Sequence, residues 1–228
     1  MSTVIPAWSI PSIPVAGESG RFPVRRIYCV GRNYAAHTRE MGGDPTREDP
    51  FFFMKPADAI VMDGATLPYP QATKNLHHEI ELVVALKGGG ANVPPDRVMD
   101  LVYGYATGLD MTRRDLQGEA KKLGRPWETG KGFDLSAPIS PIRPVARSGE
   151  VTAGRIWLKA NGAIRQDSDV SKLIWNVAET IEHLSRYFEL VPGDLVFTGT
   201  PEGVAAVQRG DLMEGGVDGV GTLKLRVA

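Results

Sequence analysis

The chain has 228 residues, 42% of them hydrophobic, enough to bury a sizeable core in one large domain. Its 26 Lys and Arg against 27 Asp and Glu leave a net charge of −1, so no basic excess points to nucleic acid or an anionic membrane surface. Small-molecule chemistry is then the default, and the N-terminal stretch MSTVIPAWSIPSIP, with no basic leader and no apolar run free of proline, argues against a signal peptide or a membrane span and for a soluble, intracellular protein.

In chain order, Met1 to Gly20 is rich in Pro, Ser and Gly and predicts an extended arm, with one continuous domain from Arg21 onward. Arg26 to Val30 predicts a strand carrying the lone cysteine, Cys29, as a buried thiol without an internal partner, which suits a reducing cytoplasm. In the following GRNYAAHTREMGG, a short helix capped by Asn33 would set His37 and Glu40 three residues apart on one face. The carboxylate can then fix the imidazole tautomer and raise its basicity, as a water-activating dyad requires. Gly42-Gly43 and the polar run DPTRED predict a hinged segment over a pocket. Phe51 to Lys55 predicts a second strand.

NLHHEIELVVAL predicts a strand over His77 to Leu86. Its period of two places His77, Glu79 and Glu81 on one face and Ile80, Leu82, Val84 and Leu86 on the other. The acidic face is either wet or a pair of oxygen ligands for a hard cation, which needs a third carboxylate. Val102 to Leu109 predicts another strand, and Asp110 stands where it turns into a helix. Thr112 and Asp115 resemble a capping box, which leaves Asp110 either a turn residue or a third ligand. Three carboxylates suit Mg2+, Mn2+ or Ca2+ better than zinc, and a cation is expected beside them, Arg114 on the helix or Lys131 in ETGKGFD.

Further on, Asn161-Gly162 after the Ile156 to Ala160 strand signals a type I′ hairpin. Ser171 to Phe188 has the apolar stripe of a helix, with Ser171 as N-cap and with Glu179 and His183 on a solvated face. Leu195 to Thr198 and Thr222 to Val227 predict strands, and the turn Thr198-Gly199-Thr200-Pro201 offers hydroxyls and N–H groups that could hold a substrate carboxylate. Many short strands with one long helix indicate a β-rich α+β fold.

The motifs GRNYAAHTREMG, PFFFMKPADAIV, NLHHEIELVVAL, GLDMTRRDLQ, ETGKGFD, LKANGAIRQ and FTGTPEGV, from about Arg21 to the C-terminus, resemble in kind and order those of the fumarylacetoacetate hydrolase superfamily, nearest its acylpyruvase and fumarylpyruvate hydrolase branch. The resemblance implies a mixed β-roll, a homodimer and a divalent cation held by Glu79, Glu81 and Asp110. It also implies a lid dyad of His37 and Glu40, an active-site Lys131, and substrate contacts from Arg114, Gln117 and Thr200. The implied reaction is hydrolysis of the C–C bond of a 1,3-diketo acid, foremost fumarylpyruvate to fumarate and pyruvate in gentisate breakdown. Oxaloacetate decarboxylation or keto–enol isomerisation on the same scaffold is the competing reading, and a non-catalytic metal-binding module a third. A distal substrate carboxylate would need its own cation, with Arg32, Arg113 and Arg125 as candidates.

Overall fold

The apolar run Ile80–Leu86 is a strand buried at all its positions, because layers cover both of its faces. The structure, a computed structural model, describes residues 3–42 and 48–228. The hinge expected at Gly42-Gly43 and in the polar run therefore lies largely outside the described residues.

Around that strand a mixed sheet runs in the order Phe51–Lys55, Arg26–Gly31, Asp194–Phe197, Ile80–Leu86, Val102–Leu109, Ala137–Ile139 and Ile60–Met62. The Arg26–Gly31 and Asp194–Phe197 strands are parallel, and the central three neighbours are antiparallel. Leu82 and Val84 face a second, five-stranded sheet and pack with Ile156, Leu158, Met213 and Leu223 of its strands. Val83, Ala85 and Phe197 face the other way, into a smaller core with Ile13, Phe22 and Cys29. The division of Leu82 and Val84 from their neighbours follows the predicted period, but no wet face exists: burial on both sides replaces it. This is the strand-rich α+β architecture that the sequence indicates.

Three local differences have physical causes. The expected arm is partly built in, because Ser12–Pro14 pairs antiparallel with Arg21–Pro23 and buries Ile13. The long helix begins later than predicted: Val170–Lys172 is a single 3-10 turn, and the α-helix is Val177–Tyr187. Its N-cap is Asn176, whose side chain accepts from the Glu179 N–H at 3.0 Å while Glu179 Oε2 accepts from the Asn176 N–H at 3.0 Å. Glu179 is thus half of a capping box. His183 is buried against the Trp175 ring, with centroids 4.5 Å apart, and does not sit on a solvated face. The Asn161-Gly162 hairpin forms as predicted, both residues at positive φ (52° and 80°).

Among the described residues no helix is long and apolar enough to cross a membrane. Asn176→Ala is expected to lower the unfolding free energy by about 1 kcal/mol, and Ser171→Ala, outside the helix, by under about 0.5 kcal/mol. Urea unfolding of the two variants beside the parent checks the assignment of the cap.

Candidate active site

Strand register brings the three acids together. Ile80 stands opposite Leu109 in the ladder, so the residues just before and just after them meet where the pairing ends. There the Asp110 N–H donates to the Glu79 carbonyl at 2.8 Å. Glu79 fills the one-residue break between Leu76–His78 and Ile80–Leu86. Glu79, Glu81 and Asp110 are buried, and each offers an oxygen within 4.8 Å of the others.

Charges on three other segments meet them. Lys131, at the end of the short helix Glu128–Lys131, donates to Glu79 Oε2 at 2.7 Å, Asp110 Oδ2 at 2.6 Å and Thr112 Oγ1 at 2.7 Å. The close approach depends on Gly130, where an added Cβ would lie 2.9 Å from the Gln117 nitrogen. Arg114 pairs through Nη2 with Glu79 Oε1 and donates through Nη1 to Gln117 Oε1 at 2.6 Å. Arg114 is the first residue of its helix, with Asp110 outside it, so its partner is Glu79 across the site and not Asp110 along a helix face. Lys55, which the sequence reading did not single out, lies 2.8 Å from Asp110 Oδ1 and donates to the Met111 carbonyl at 3.1 Å and to the Lys131 carbonyl.

Three acids and three cations balance, but unevenly. Burial opposes the charge on Glu79, yet Lys131 and then Arg114 outweigh it and hold that carboxyl well below the usual range. Burial likewise opposes the charge on Lys131, and Asp110 and Glu79 raise its pKa above the ordinary lysine value. Lys131 is thus held in its charged form by the two carboxylates it touches. Among the described residues no side-chain cation pairs with Glu81, and the Gly199 N–H donates to its Oε2 at 2.7 Å. Burial, and then the neighbouring Asp110 and Glu79 charges, push its pKa well above the carboxylate value. A buried acid so destabilised, in an all-oxygen cluster, fits a hard divalent cation as the missing partner. With that ion the cluster would carry two positive charges, a setting for an anionic keto acid.

His37 is buried on the helix Ala35–Glu40, its Nδ1 3.2 Å from Glu40 Oε2. Glu40 is held in turn by the Gly203 N–H, 3.1 Å from Oε1. Donation of Nδ1–H to Glu40 leaves Nε2 as the basic nitrogen. Burial lowers the His37 pKa below 6.5, against the opposing pull of Glu79 and Glu40. Asn33 does not cap this helix. Its amide donates to the Trp175 and Thr198 carbonyls, at 2.8 Å each, and accepts the Trp175 N–H at 2.8 Å, clamping the connection to two other segments.

One cavity is lined by His37, Glu79, Glu81, Asp110, Arg114, Gln117, Lys131 and Thr200, with Glu40 behind His37. Thr112 and Asp115 form no capping box, since Thr112 receives Lys131 and Asp115 receives the Thr73 hydroxyl at 2.6 Å. Gln166 was also missed: it donates to Thr200 Oγ1 at 2.8 Å, and its carbonyl oxygen lies 2.9 Å from His78 Nδ1. Its one sequence signal is a polar residue that falls on the inward side of a hairpin strand.

A buried carboxylate pocket on a strand-rich roll defines the class, and residues 26–228 match the family profile described as fumarylacetoacetate (FAA) hydrolase C-terminal, so the chain belongs to the fumarylacetoacetate hydrolase family. It is 48% identical over 184 residues to the fumarylpyruvate hydrolase of Ralstonia sp, covering 81% of this chain and 95% of that one. It is 43% identical over 203 residues to the mitochondrial oxaloacetate tautomerase FAHD1 of Rattus norvegicus, covering 89% and 91%. The crystal structure of the Pseudomonas aeruginosa fumarylpyruvate hydrolase in complex with Mn2+ and pyruvate superposes with a TM-score of 0.97 at 55% identity, over 100% of this chain and 99% of that one.

Glu81→Gln is expected to weaken Mn2+ binding, followed by calorimetry, by more than the roughly 10- to 100-fold typical of losing an outer-shell partner. Binding as tight as in the parent would remove Glu81 from the ligand set.

Proposed function

We propose that this protein is a metal-dependent hydrolase that cleaves the C–C bond of an acylpyruvate, fumarylpyruvate foremost, to a carboxylic acid and pyruvate. The observation that carries the reading is the pairing, in one cavity, of the Glu79, Glu81 and Asp110 cluster with a buried His37 held by Glu40. The similarity to fumarylpyruvate hydrolases at 48% and 55% identity supports the choice of substrate.

In this reading Glu79, Glu81 and Asp110 hold Mg2+ or Mn2+. The bound ion supplies Lewis-acid polarisation and a template for the α-keto acid end of the substrate. Arg114, Gln117 and Thr200 line that end and orient it. His37 Nε2 takes a proton from water as the oxygen adds to the distal ketone carbon. Glu40 stabilises the imidazolium that results. The tetrahedral oxyanion collapses, the bond to the methylene carbon breaks with its electron pair, and pyruvate leaves as its enolate. Lys131, fixed as a cation, offsets the charge that gathers on the enolate oxygen. Protonation of the methylene carbon completes pyruvate and returns His37 to its neutral form.

The tautomerase relative favours a second reading, keto–enol isomerisation of oxaloacetate, and decarboxylation of the same acid is its neighbour. Neither needs water to be activated. The proposal extends to a homodimer, supported by Trp8 and Ile10 standing exposed on the N-terminal segment, to a place in gentisate breakdown, and to a cytoplasmic location, supported by the free buried thiol of Cys29.

His37→Ala should lower kcat on fumarylpyruvate by about 10²- to 10⁴-fold, followed as loss of diketo absorbance. Parent-like cleavage of fumarylpyruvate by this variant would remove His37 as the base. The neutral imidazole is the active form, and burial holds its pKa below the ordinary histidine value, so kcat/KM should fall toward acid pH along a limb centred below that value. An acid limb centred above pH 7 would contradict His37 as the base.

A further inference from the structure

Four cations line the cavity: Arg32, Arg114, Lys121 and Lys131. Two of them already face carboxylates, Arg114 on Glu79 and Lys131 on Glu79 and Asp110. Arg32 and Lys121 have no ion pair among the described residues. Each instead rests on an aromatic ring, the Lys121 ammonium 5.0 Å from the centroid of Trp127 and the Arg32 guanidinium 5.9 Å from that of Phe51. The two rings meet edge to face, with centroids 5.2 Å apart, and both line the cavity, so cations and rings form one collar around its outer part.

The backbone supports the same reading. Arg32 is a non-glycine residue held at φ 57° between the Arg26–Gly31 strand and the Ala35–Glu40 helix. Such conformations cost about 1 to 3 kcal/mol and persist where surrounding contacts impose them. Here the Asn33 clamp imposes it, through hydrogen bonds to both Trp175 and Thr198. Lys121 is half-buried on the helix Arg114–Leu123. Burial, and then the positive charges of Arg114 and Arg32, lower its pKa to about 8, an unfavourable crowding of like charge that an arriving anion would relieve.

We propose that Lys121 and Arg32 receive the distal carboxylate of a dicarboxylic acylpyruvate and so select such substrates over monocarboxylic acylpyruvates. The inference rests on the hydrolase reading and assigns the far end of the substrate. Arg113 and Arg125, also candidates by sequence, do not line the cavity: Arg113 stacks 4.3 Å from the Phe133 ring centroid, and Arg125 lies 3.9 Å from Glu119 at the surface. The residue that accompanies Arg32 is instead a lysine, seven positions beyond Arg114 on the same helix.

The test compares kcat/KM for fumarylpyruvate and acetylpyruvate in the Mn2+-loaded parent, Lys121→Met, Lys121→Arg and Arg32→Gln. The ratio of fumarylpyruvate to acetylpyruvate should fall about 10- to 100-fold in Lys121→Met and in Arg32→Gln, as expected for loss of a hydrogen bond to a charged group. It should recover most of its value in Lys121→Arg. An unchanged ratio in both charge-removing variants, whether activity on the two substrates is kept or lost alike, overturns the assignment. A parent that cleaves acetylpyruvate but not fumarylpyruvate overturns it too, while the hydrolase reading stands. Should the parent cleave neither, the hydrolase reading fails, and calorimetry with fumarate against crotonate then decides on the anion site alone: a preference for the dicarboxylate that Lys121→Met removes supports it, and equal affinities sink it.

Discussion

The structure depends on placing three carboxylates within 4.8 Å of one another away from water. Each buried charge costs several kcal/mol of desolvation unless opposite charge and hydrogen bonds meet it. Here the compensation is drawn from distant segments: Lys55 from the end of one strand, Arg114 from a helix start, Lys131 from a four-residue helix packed closely through Gly130. A cluster of this kind is a poor device for stability, because apolar side chains could fill the same volume with less desolvation. Its presence at the end of the central strands of a largely apolar sheet is therefore a demand of chemistry. The uneven balance says which chemistry: two acids are matched by side-chain cations, while Glu81 is left to a backbone N–H.

Much of this was legible in the sequence, and the parts that were not share a cause. Glu79 and Glu81 could be read from the period of a strand, and Asp110 from its position at a strand end, because both signals are local. Asp110 is a ligand candidate for a different reason from the one that spacing offers. Thr112 and Asp115 have the spacing of a capping box, but their side chains are engaged by Lys131 and Thr73, residues that spacing cannot see. Lys55 ends the run FFFMK and resembles any strand-end lysine, and its burial follows only from carbonyls of Met111 and Lys131 far along the chain. The same holds for the long helix. Its apolar stripe was clear, yet Ser171 and Asn176 are both plausible caps by type, and the geometry of Glu179 decides for Asn176.

The segment from Thr198 to Gly203 joins the two halves of the site. Its Gly199 N–H meets Glu81, its Gly203 N–H meets Glu40, its Thr200 hydroxyl is held by Gln166, and its Thr198 carbonyl accepts from Asn33. Gly199, at φ 100°, also passes so near Asn33 that an added Cβ would lie 2.7 Å from the Asn33 Cβ. The acid cluster and the histidine dyad are thus fixed to one turn, and a shift of that turn would misplace base and carboxylates together. Reaction geometry is sensitive to displacements of about 1 Å, so one shared anchor holds the spacing between base and acids better than two independent loops would.

Charge is graded along the cavity as a result. At its inner end every lining cation is matched by an acid, and attraction for an anion there depends on an added divalent ion. Toward the mouth, Arg32 and Lys121 have no acidic partner among the described residues and stand on aromatic faces. A molecule with an α-keto carboxylate at one end and a second carboxylate at the other would be drawn in at both ends. A reversed entry would give up the chelating contact at the inner end, since an isolated carboxylate lacks the adjacent carbonyl. On the proposed reading, orientation would be set by the difference between chelation and simple ion pairing, and the ketone to be attacked would lie between the two anchors.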